Sequence, residues 1–479
     1  MNKGELMKLS TALRLNTSPR VAFVGAGGKT SGMFILAREL LESPSAPTSV
    51  MVSTTTHLGL FQAANADCHI VIKDGHDLAS LRKKFPGGLV MVTGEPAKSE
   101  KFRITGIPPE EMLALADIHH IPLLIEADGA RMLPLKAPAD YEPVIPSFVD
   151  TVVVLAGLSG IGKPLSNEWV HRPEKFAELS GLALGEKITP LALQDVLLHP
   201  LGGLKNIPSH SHRVAFLNQA EGDELQSIAY KMTPALLEKY HAVVIGSIFQ
   251  PTEAGINNKG EGDLCSTSIH ESYLDKKKDI FSVHESIAGV VLAGGEAHRF
   301  GQPKQLLVWR GQPLVRRAAV TALEAGLSPV IVVTGAVDEP IREPLQGLNV
   351  QIVHNPNWKE GQSTSVKAGI SVLPDHIGGV VFLLADQPRV TSNLIRALVE
   401  KHAWSLSPLV APQIDGQRAT PVLFDREVFP ELKKLSGDQG GRALFPRYEV
   451  AWIPWQDVGL TLDIDTPEDF RRLLEEDSG

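Results

Sequence analysis

The sequence predicts an α/β protein built from α/β domains in tandem. Short apolar runs of strand length alternate with helix-length segments through almost the whole chain, which is the pattern that parallel sheets covered by helices impose. A strand-like run followed by a glycine-rich loop occurs twice, once at the opening of each half. The length of 479 residues calls for two or three domains at about 100–200 residues each.

The N-terminal domain is taken as residues 1–270. Val21–Val24, Ser49–Ser53, Leu123–Ile125, Val152–Leu155, Arg213–Leu217 and Val243–Ile245 read as buried strands, and Ser31–Leu41 has apolar residues at helical spacing. The first strand runs into Gly25, Gly27, Gly28, Lys29 and Thr30. Such a loop either cradles phosphate at a helix N-terminus, with Thr30 toward a magnesium ion, or is a simple tight turn. It is not a full Walker A motif, because Phe23 stands where GxxxxGK[ST] asks for glycine. It is not GxGxxG either, because Thr30 takes the last glycine position. Glu126 and Asp128 follow a strand, where carboxylates serve as metal ligands or are simply solvated. Asn218 and Glu221 faintly resemble a guanine-reading NxxD. His57 in STTTH has no assigned role.

Residues 271–286 carry charge without strong periodicity and read as a linker. The C-terminal domain, 287–479, resumes the alternation with strands at Ala288–Leu292, Pro329–Val333, Val350–Val353, Val380–Leu384 and Pro408–Ala411. After Leu292, the loop Ala293, Gly294 and Gly295 presents backbone N–H groups to an anion without Cβ obstruction. Arg299 and Lys304 supply cations for a triphosphate. Asp386 ends the Val380–Leu384 strand, where α/β sheets bind ligands. It is either a magnesium ligand or a turn residue. Asp463 and Asp465 are two apart on an extended stretch and so share a side. Thr466, Pro467 and Asp469 then form a helix-start signature. Asp386 and Asp465 are the preferred metal pair. Ser363 and Ser365 precede a helix and suit ribose or phosphate. Gly437, Asp438 and Arg442 lie in a glycine-rich loop that either closes over an acceptor or is a surface turn.

The net charge of -9 argues against a general nucleic-acid binder while leaving room for a basic pocket. Cys68 and Cys265 lie far apart with no CxxC, so neither a disulfide framework nor a structural zinc is expected. The polar N-terminus and the lack of a run of ~18 apolar residues point to a cytoplasmic protein without a membrane partner. No Ser/His/Asp or Cys/His constellation is supported. None is needed where an acceptor phosphate is the nucleophile and charge cancellation is the remaining task.

The segments LAGGEAHRFGQPKQLL, GQSTSVKAG, LLADQP, GDQGGRAL and DIDTPEDF resemble those of MobA/MocA-type nucleotidyltransferases, most of all molybdenum cofactor cytidylyltransferases, over about 287–479. The resemblance implies a Rossmann-like nucleotidyltransferase (GT-A-like) α/β fold and transfer of CMP from CTP to Mo-molybdopterin with release of pyrophosphate. In it the first loop and Lys304 hold the triphosphate and Asp386 and Asp465 hold Mg²⁺. Cytidylyl members usually carry LAAG and guanylyl members LAGG. Position 294 is glycine here, but PKQLL, DQP and GDQGGR look cytidylyl, so CTP is favoured over GTP. VGAGGKTS, STTTH, IEADGARMLPLKAP, GLSGIGKPL, His171-Arg172-Pro173 and FLNQAE resemble the YqeC family over about 1–250. That implies a P-loop-like α/β fold, ATP or GTP at the first loop, and a part in maturing selenium-dependent molybdenum hydroxylases, with the apoenzyme as partner. A sugar-1-phosphate nucleotidyltransferase and a non-catalytic cofactor carrier or chaperone stay open as alternatives.

Overall fold

The computed structural model describes residues 7–96, 103–248, 278–295, 302–461 and 463–476. The chain divides into two compact units, Met1–His284 and Glu285–Gly479. Among the described residues no helix is long and apolar enough to cross a membrane.

The N-terminal unit is organised on nine strands: β1 Arg20–Gly25, β2 Ser49–Thr54, β3 Cys68–Val71, β4 Gly88–Thr93, β5 Leu123–Glu126, β6 Thr151–Gly157, β7 His212–Asn218, β8 Ala242–Ile248 and β9 Lys278–Glu285. Their order across the sheet is β9-β8-β7-β6-β1-β5-β2-β4-β3. The ladders joining β1 to β8 are all parallel. β2, β6 and β8 are buried along their whole length. That is why they read as unbroken apolar runs rather than alternating ones. Central β1 pairs Phe23 with Glu126 on β5 and Gly25 with Leu155 on β6, so the glycine loop leaves the sheet between two strand ends. Helix α1, Lys29–Leu41, follows directly.

The linker reading of 271–286 needs correction. Residues 271–277 lie outside the described residues, and 278–285 form the edge strand β9. Ile280, Ser282, Val283 and Glu285 are buried, and the charges of Lys278, Asp279 and Glu285 in the sequence disguise the strand.

The C-terminal unit has β10 Ile287–Ala293, β11 Val330–Thr334, β12 Gln351–His354, β13 Gly379–Leu384, β14 Leu409–Ile414, β15 Gln417–Arg418, β16 Val422–Asp425 and β17 Val450–Pro454. The sheet runs β12-β11-β10-β13-β16-β14-β15, with β17 against β14. β10 is parallel to β11 and β13, but β16 is antiparallel to both β13 and β14. The sheet is therefore mixed, not purely parallel. The cause is local: Asp415 and Gly416 both have positive φ, at 48° and 79°, and turn the chain back in a two-residue hairpin. Apolar clusters cover both faces, one around Val291, Val332 and Leu383, the other around Val290, Val333 and Val380.

Candidate active site

In the C-terminal unit, parallel pairing of β10 with β13 sets Leu292 opposite Leu384. The loop Ala293–Gly295 and the segment Ala385–Asp386 thus leave the same sheet edge side by side. Lys304 opens a single 3-10 turn, Lys304–Leu306. Its ammonium donates to Asp386 Oδ2 and, at 3.2 Å, to Asp465 Oδ1. Burial opposes the charge on Lys304, but the two carboxylates outweigh it and hold the ammonium above the ordinary lysine range.

Asp465 reaches this point because Ile464 is fully buried and its N–H donates to Asp386 O at 3.0 Å. The helix α2, Pro467–Glu476, fixes the register. Asp469 Oδ2 accepts from Thr466 N at 2.8 Å and Thr466 Oγ1 accepts from Asp469 N at 3.2 Å, the reciprocal cap read from the sequence. Asp463 serves differently: its carboxylate accepts from Gln387 Nε2 at 2.7 Å. Its pKa is raised, first by burial and then by Asp386 and Asp465, against the hydrogen bond from Gln387.

The glycine loop is tied to this cluster by a residue the sequence reading passed over. Gln305 is 2 % exposed, and its Nε2 donates to Ala293 O at 3.2 Å and Gly295 O at 2.9 Å. A Cβ on Gly294 would lie 3.1 Å from Ser365 Oγ, so the loop also approaches the helix Gln362–Ser371. Asn355, likewise unassigned, donates to Ser365 Oγ at 3.0 Å and Thr364 Oγ1 at 2.8 Å. Ser363 N donates to Gly437 O at 3.1 Å, and a Cβ on Gly361 would sit 2.3 Å from the Gly437 carbonyl carbon. The 361–369 and 437–444 segments therefore touch. Asp438 and Arg442 are exposed on that loop. Arg299 lies outside the described residues. Gln305, Gln387 and Asn355 share one feature, a buried amide next to strand-end charged or hydroxyl residues.

Two carboxylates converging on one cation form a hard-oxygen set that suits Mg²⁺, which keeps waters and binds one or two carboxylates plus substrate phosphates. No cage of three or more His, Cys, Asp or Glu exists among the described residues.

In the N-terminal unit Gly25, Gly27 and Gly28 take φ of 91°, 79° and 125°. A Cβ on Gly25 would lie 2.2 Å from Leu155 O, so only glycine fits between β1 and β6. Lys29 Nζ donates to Gly25 O at 2.7 Å and pairs with Asp128 at 3.1 Å. Thr30 Oγ1 donates to Glu126 Oε2 at 2.6 Å. Burial raises the Glu126 carboxyl above its usual range, against Lys29 and Thr30. Lys136 bridges Asp128 at 2.7 Å and Glu142 at 3.0 Å, and Arg172 joins Glu142 at 2.8 Å. The base-reading role for Asn218 is overturned. Asn218 is fully buried, its amide donates to Gly27 O and Ile248 O, and its carbonyl accepts from Ile248 N. It anchors the loop to β8, and both amide hydrogens that would read a base are already taken. Glu221 accepts from Ser247 Oγ at 3.1 Å.

In the C-terminal unit the strand ends thus gather a glycine loop, a lysine and two carboxylates, a set that can hold a nucleoside triphosphate with a metal ion. The family model described as MobA-like NTP transferase domain matches residues 289–451, and that of the YqeC protein matches 21–174. The chain is 34% identical over 200 residues to the uncharacterized protein YqeC of Escherichia coli (strain K12), covering 42% of this chain and 75% of that one. It is 31% identical to nicotine blue oxidoreductase of Paenarthrobacter nicotinovorans, covering 39% of this chain and 96% of that one. It is 27% identical to the molybdenum cofactor cytidylyltransferase of Escherichia coli (strain K12), covering 38% and 92%. The protein is a nucleotidyltransferase enzyme. It belongs to the YqeC family, and its residues 289–451 match the MobA-like NTP transferase domain.

Proposed function

We propose that the C-terminal unit transfers CMP from CTP to the terminal phosphate of Mo-molybdopterin, forming molybdopterin cytosine dinucleotide and pyrophosphate. The observation that carries this reading is the Lys304 ammonium set between Asp386 and Asp465 beside the Ala293–Gly295 loop. Similarity to a molybdenum cofactor cytidylyltransferase supports the substrate pair.

An acceptor phosphate oxygen attacks the α-phosphorus, the bond to the bridging oxygen of the β-phosphate breaks, and pyrophosphate leaves with that electron pair. The acceptor is already ionised near neutral pH, so no side chain has to act as its base. The backbone N–H groups of the glycine loop face the triphosphate, and Lys304 neutralises and orients it. Arg299 adds a second cation. Asp386 and Asp465 would hold Mg²⁺, which supplies Lewis-acid stabilisation of phosphate charge. Ser363 and Ser365 contact the nucleotide, and Gly437, Asp438 and Arg442 border the acceptor. Guanylyl transfer to the same cofactor is the second reading, favoured by glycine at position 294.

The N-terminal unit, on this proposal, is P-loop-like and binds ATP or GTP at Gly25–Thr30, with Glu126 near the metal end of the triphosphate. It would link nucleotide use to delivery of the finished cofactor to a molybdenum hydroxylase apoenzyme in the cytoplasm. Incubation of the whole chain with Mo-molybdopterin, Mg²⁺ and labelled CTP or GTP tests the central claim. Label should move to the pterin with release of pyrophosphate, faster from CTP. Folded protein that transfers label from neither nucleotide would overturn it.

A further inference from the structure

We infer that Lys304 acts as a positioning residue that stands in for the metal in the free enzyme, so that divalent cation and triphosphate bind as a coupled pair. The inference rests on the nucleotidyl-transfer reading of the same cleft and adds an order of events to it.

Asp386 and Asp465 come from segments far apart in the sequence, yet both converge on one ammonium group. Two carboxylates at this separation repel one another, and a cation between them removes the repulsion and holds them in place. A hard dication needs the same two oxygens. Lys304 and a metal therefore compete for one position. The ammonium cannot simply withdraw, because Lys304 is only 20% exposed and would leave its charge part-buried without a partner.

A triphosphate changes that balance. It offers Lys304 new anionic partners next to the Ala293–Gly295 loop, which Gln305 fastens to the same short turn. Transfer of the ammonium from carboxylates to phosphate frees Asp386 and Asp465 as the metal arrives on the same phosphates. Each ligand removes an obstacle to the other, and by linkage the effect is reciprocal. In the free enzyme the carboxylates keep their spacing, so the metal position is preformed without a metal.

The test is Mn²⁺ binding to the whole chain, followed by electron paramagnetic resonance of the free ion, with and without a non-hydrolysable α,β-methylene CTP. In the wild type the nucleotide should tighten Mn²⁺ binding by about 5- to 150-fold, the ordinary range for coupled sites. In Lys304→Gln, Mn²⁺ should bind the nucleotide-free protein more tightly than it binds wild type, and the coupling should collapse toward onefold. Lys304→Arg, which keeps the charge, should retain weak metal binding in the free state. Equal Mn²⁺ affinity in wild type and Lys304→Gln without nucleotide overturns the stand-in role and leaves transfer untouched. If wild type shows no Mn²⁺ binding even with nucleotide and no label transfer, the underlying reading fails and takes this inference with it.

Discussion

Asp386→Asn separates the chemical role of the strand-end carboxylate from its structural one, because the two are expected to differ in size. Lys304 and Asp386 are 20% and 19% exposed, so their pair lies between a surface ion pair and a buried one. Surface pairs contribute about 0–1 kcal/mol, and breaking a buried pair costs about 3–5 kcal/mol. Lys304 keeps Asp465 at 3.2 Å after the change, so its charge is not stranded. The expected loss of stability is therefore about 1–2 kcal/mol, a fall in Tm of roughly 2–4 °C for each kcal/mol in a unit of this size. Domains with about 5–15 kcal/mol of stability remain folded through such a loss. The loss in catalysis should be larger. Removing a group that stabilises transition-state charge lowers the rate about 100- to 1000-fold, or about 3–4 kcal/mol in the barrier. The assay is initial-rate transfer of labelled CMP at saturating Mg²⁺, beside a thermal melt of the same preparation. Asp386→Asn that is folded and transfers within about threefold of wild type refutes the placement of Asp386 at the reacting phosphate.

Two further perturbations read the stability of the N-terminal unit. Gly25→Ala places a Cβ at φ +91° and 2.2 Å from Leu155 O, so β1 and β6 must part at their ends. The expected destabilisation is about 2–3 kcal/mol, seen as a lower melting transition, and a wild-type melt would contradict the close approach. Glu142→Gln tests the Lys136–Glu142–Arg172 cluster through pH. Burial alone would raise the Glu142 carboxyl, but Lys136 and Arg172 pull it down to about 2 from 4.5. A depressed carboxylate contributes stability that is full above its unfolded pKa and is lost as pH falls through the folded one. The contribution is on the order of 3 kcal/mol near neutral pH. The stability gap between wild type and Glu142→Gln, from urea unfolding, should thus narrow by about 2 kcal/mol from pH 7 to pH 3. A constant gap would show that the cluster does not hold Glu142 ionised.

The strands that carry the site were readable because their burial leaves no room for alternation. Val21–Val24, Leu123–Ile125, Val152–Leu155 and Val380–Leu384 all fall inside observed strands. Helix starts were readable where a cap is local, as at Thr466 and Asp469. What escaped reading depends on partners remote in sequence. β9 looked like a linker because it has few apolar residues for a strand buried on both faces: Ser282 and Glu285 are buried beside Ile280 and Val283. The antiparallel return of β16 depends on the Asp415-Gly416 turn, whose effect on sheet direction appears only once β14 and β16 are paired. Asn218 resembled a base reader because an Asn at a strand end looks the same in sequence whether it faces a ligand or ties Gly27 to Ile248. Gln305 and Gln387 were missed for the same reason: an amide acquires its role from what stands opposite it.

The two glycine loops share a device, a lysine held on strand-end carboxylates, yet differ in how firmly it is held. Lys29 is 4% exposed and Asp128 2%, with Gly25 O as a further partner at 2.7 Å. Lys304 is 20% exposed, and one of its partners, Asp465, is 60% exposed. Separating a buried pair costs about 3–5 kcal/mol, whereas releasing Lys304 from its half-buried partner Asp386 and exposed partner Asp465 costs about 1–2 kcal/mol. A triphosphate that needs the loop lysine must bear that cost, and the cost lowers apparent affinity in proportion to the population of the released state. Calorimetric titration of the whole chain should therefore show tight binding of CTP with Mg²⁺ and a weaker event for ATP or GTP at the Gly25–Thr30 loop, separated by about 10- to 1000-fold in affinity. Lys29→Ala removes the buried ammonium and should leave the stronger event in place while abolishing the weaker one. If the weaker event survives in Lys29→Ala with unchanged affinity, the nucleotide is not using that loop, and the electrostatic comparison between the two lysines loses its bearing on function.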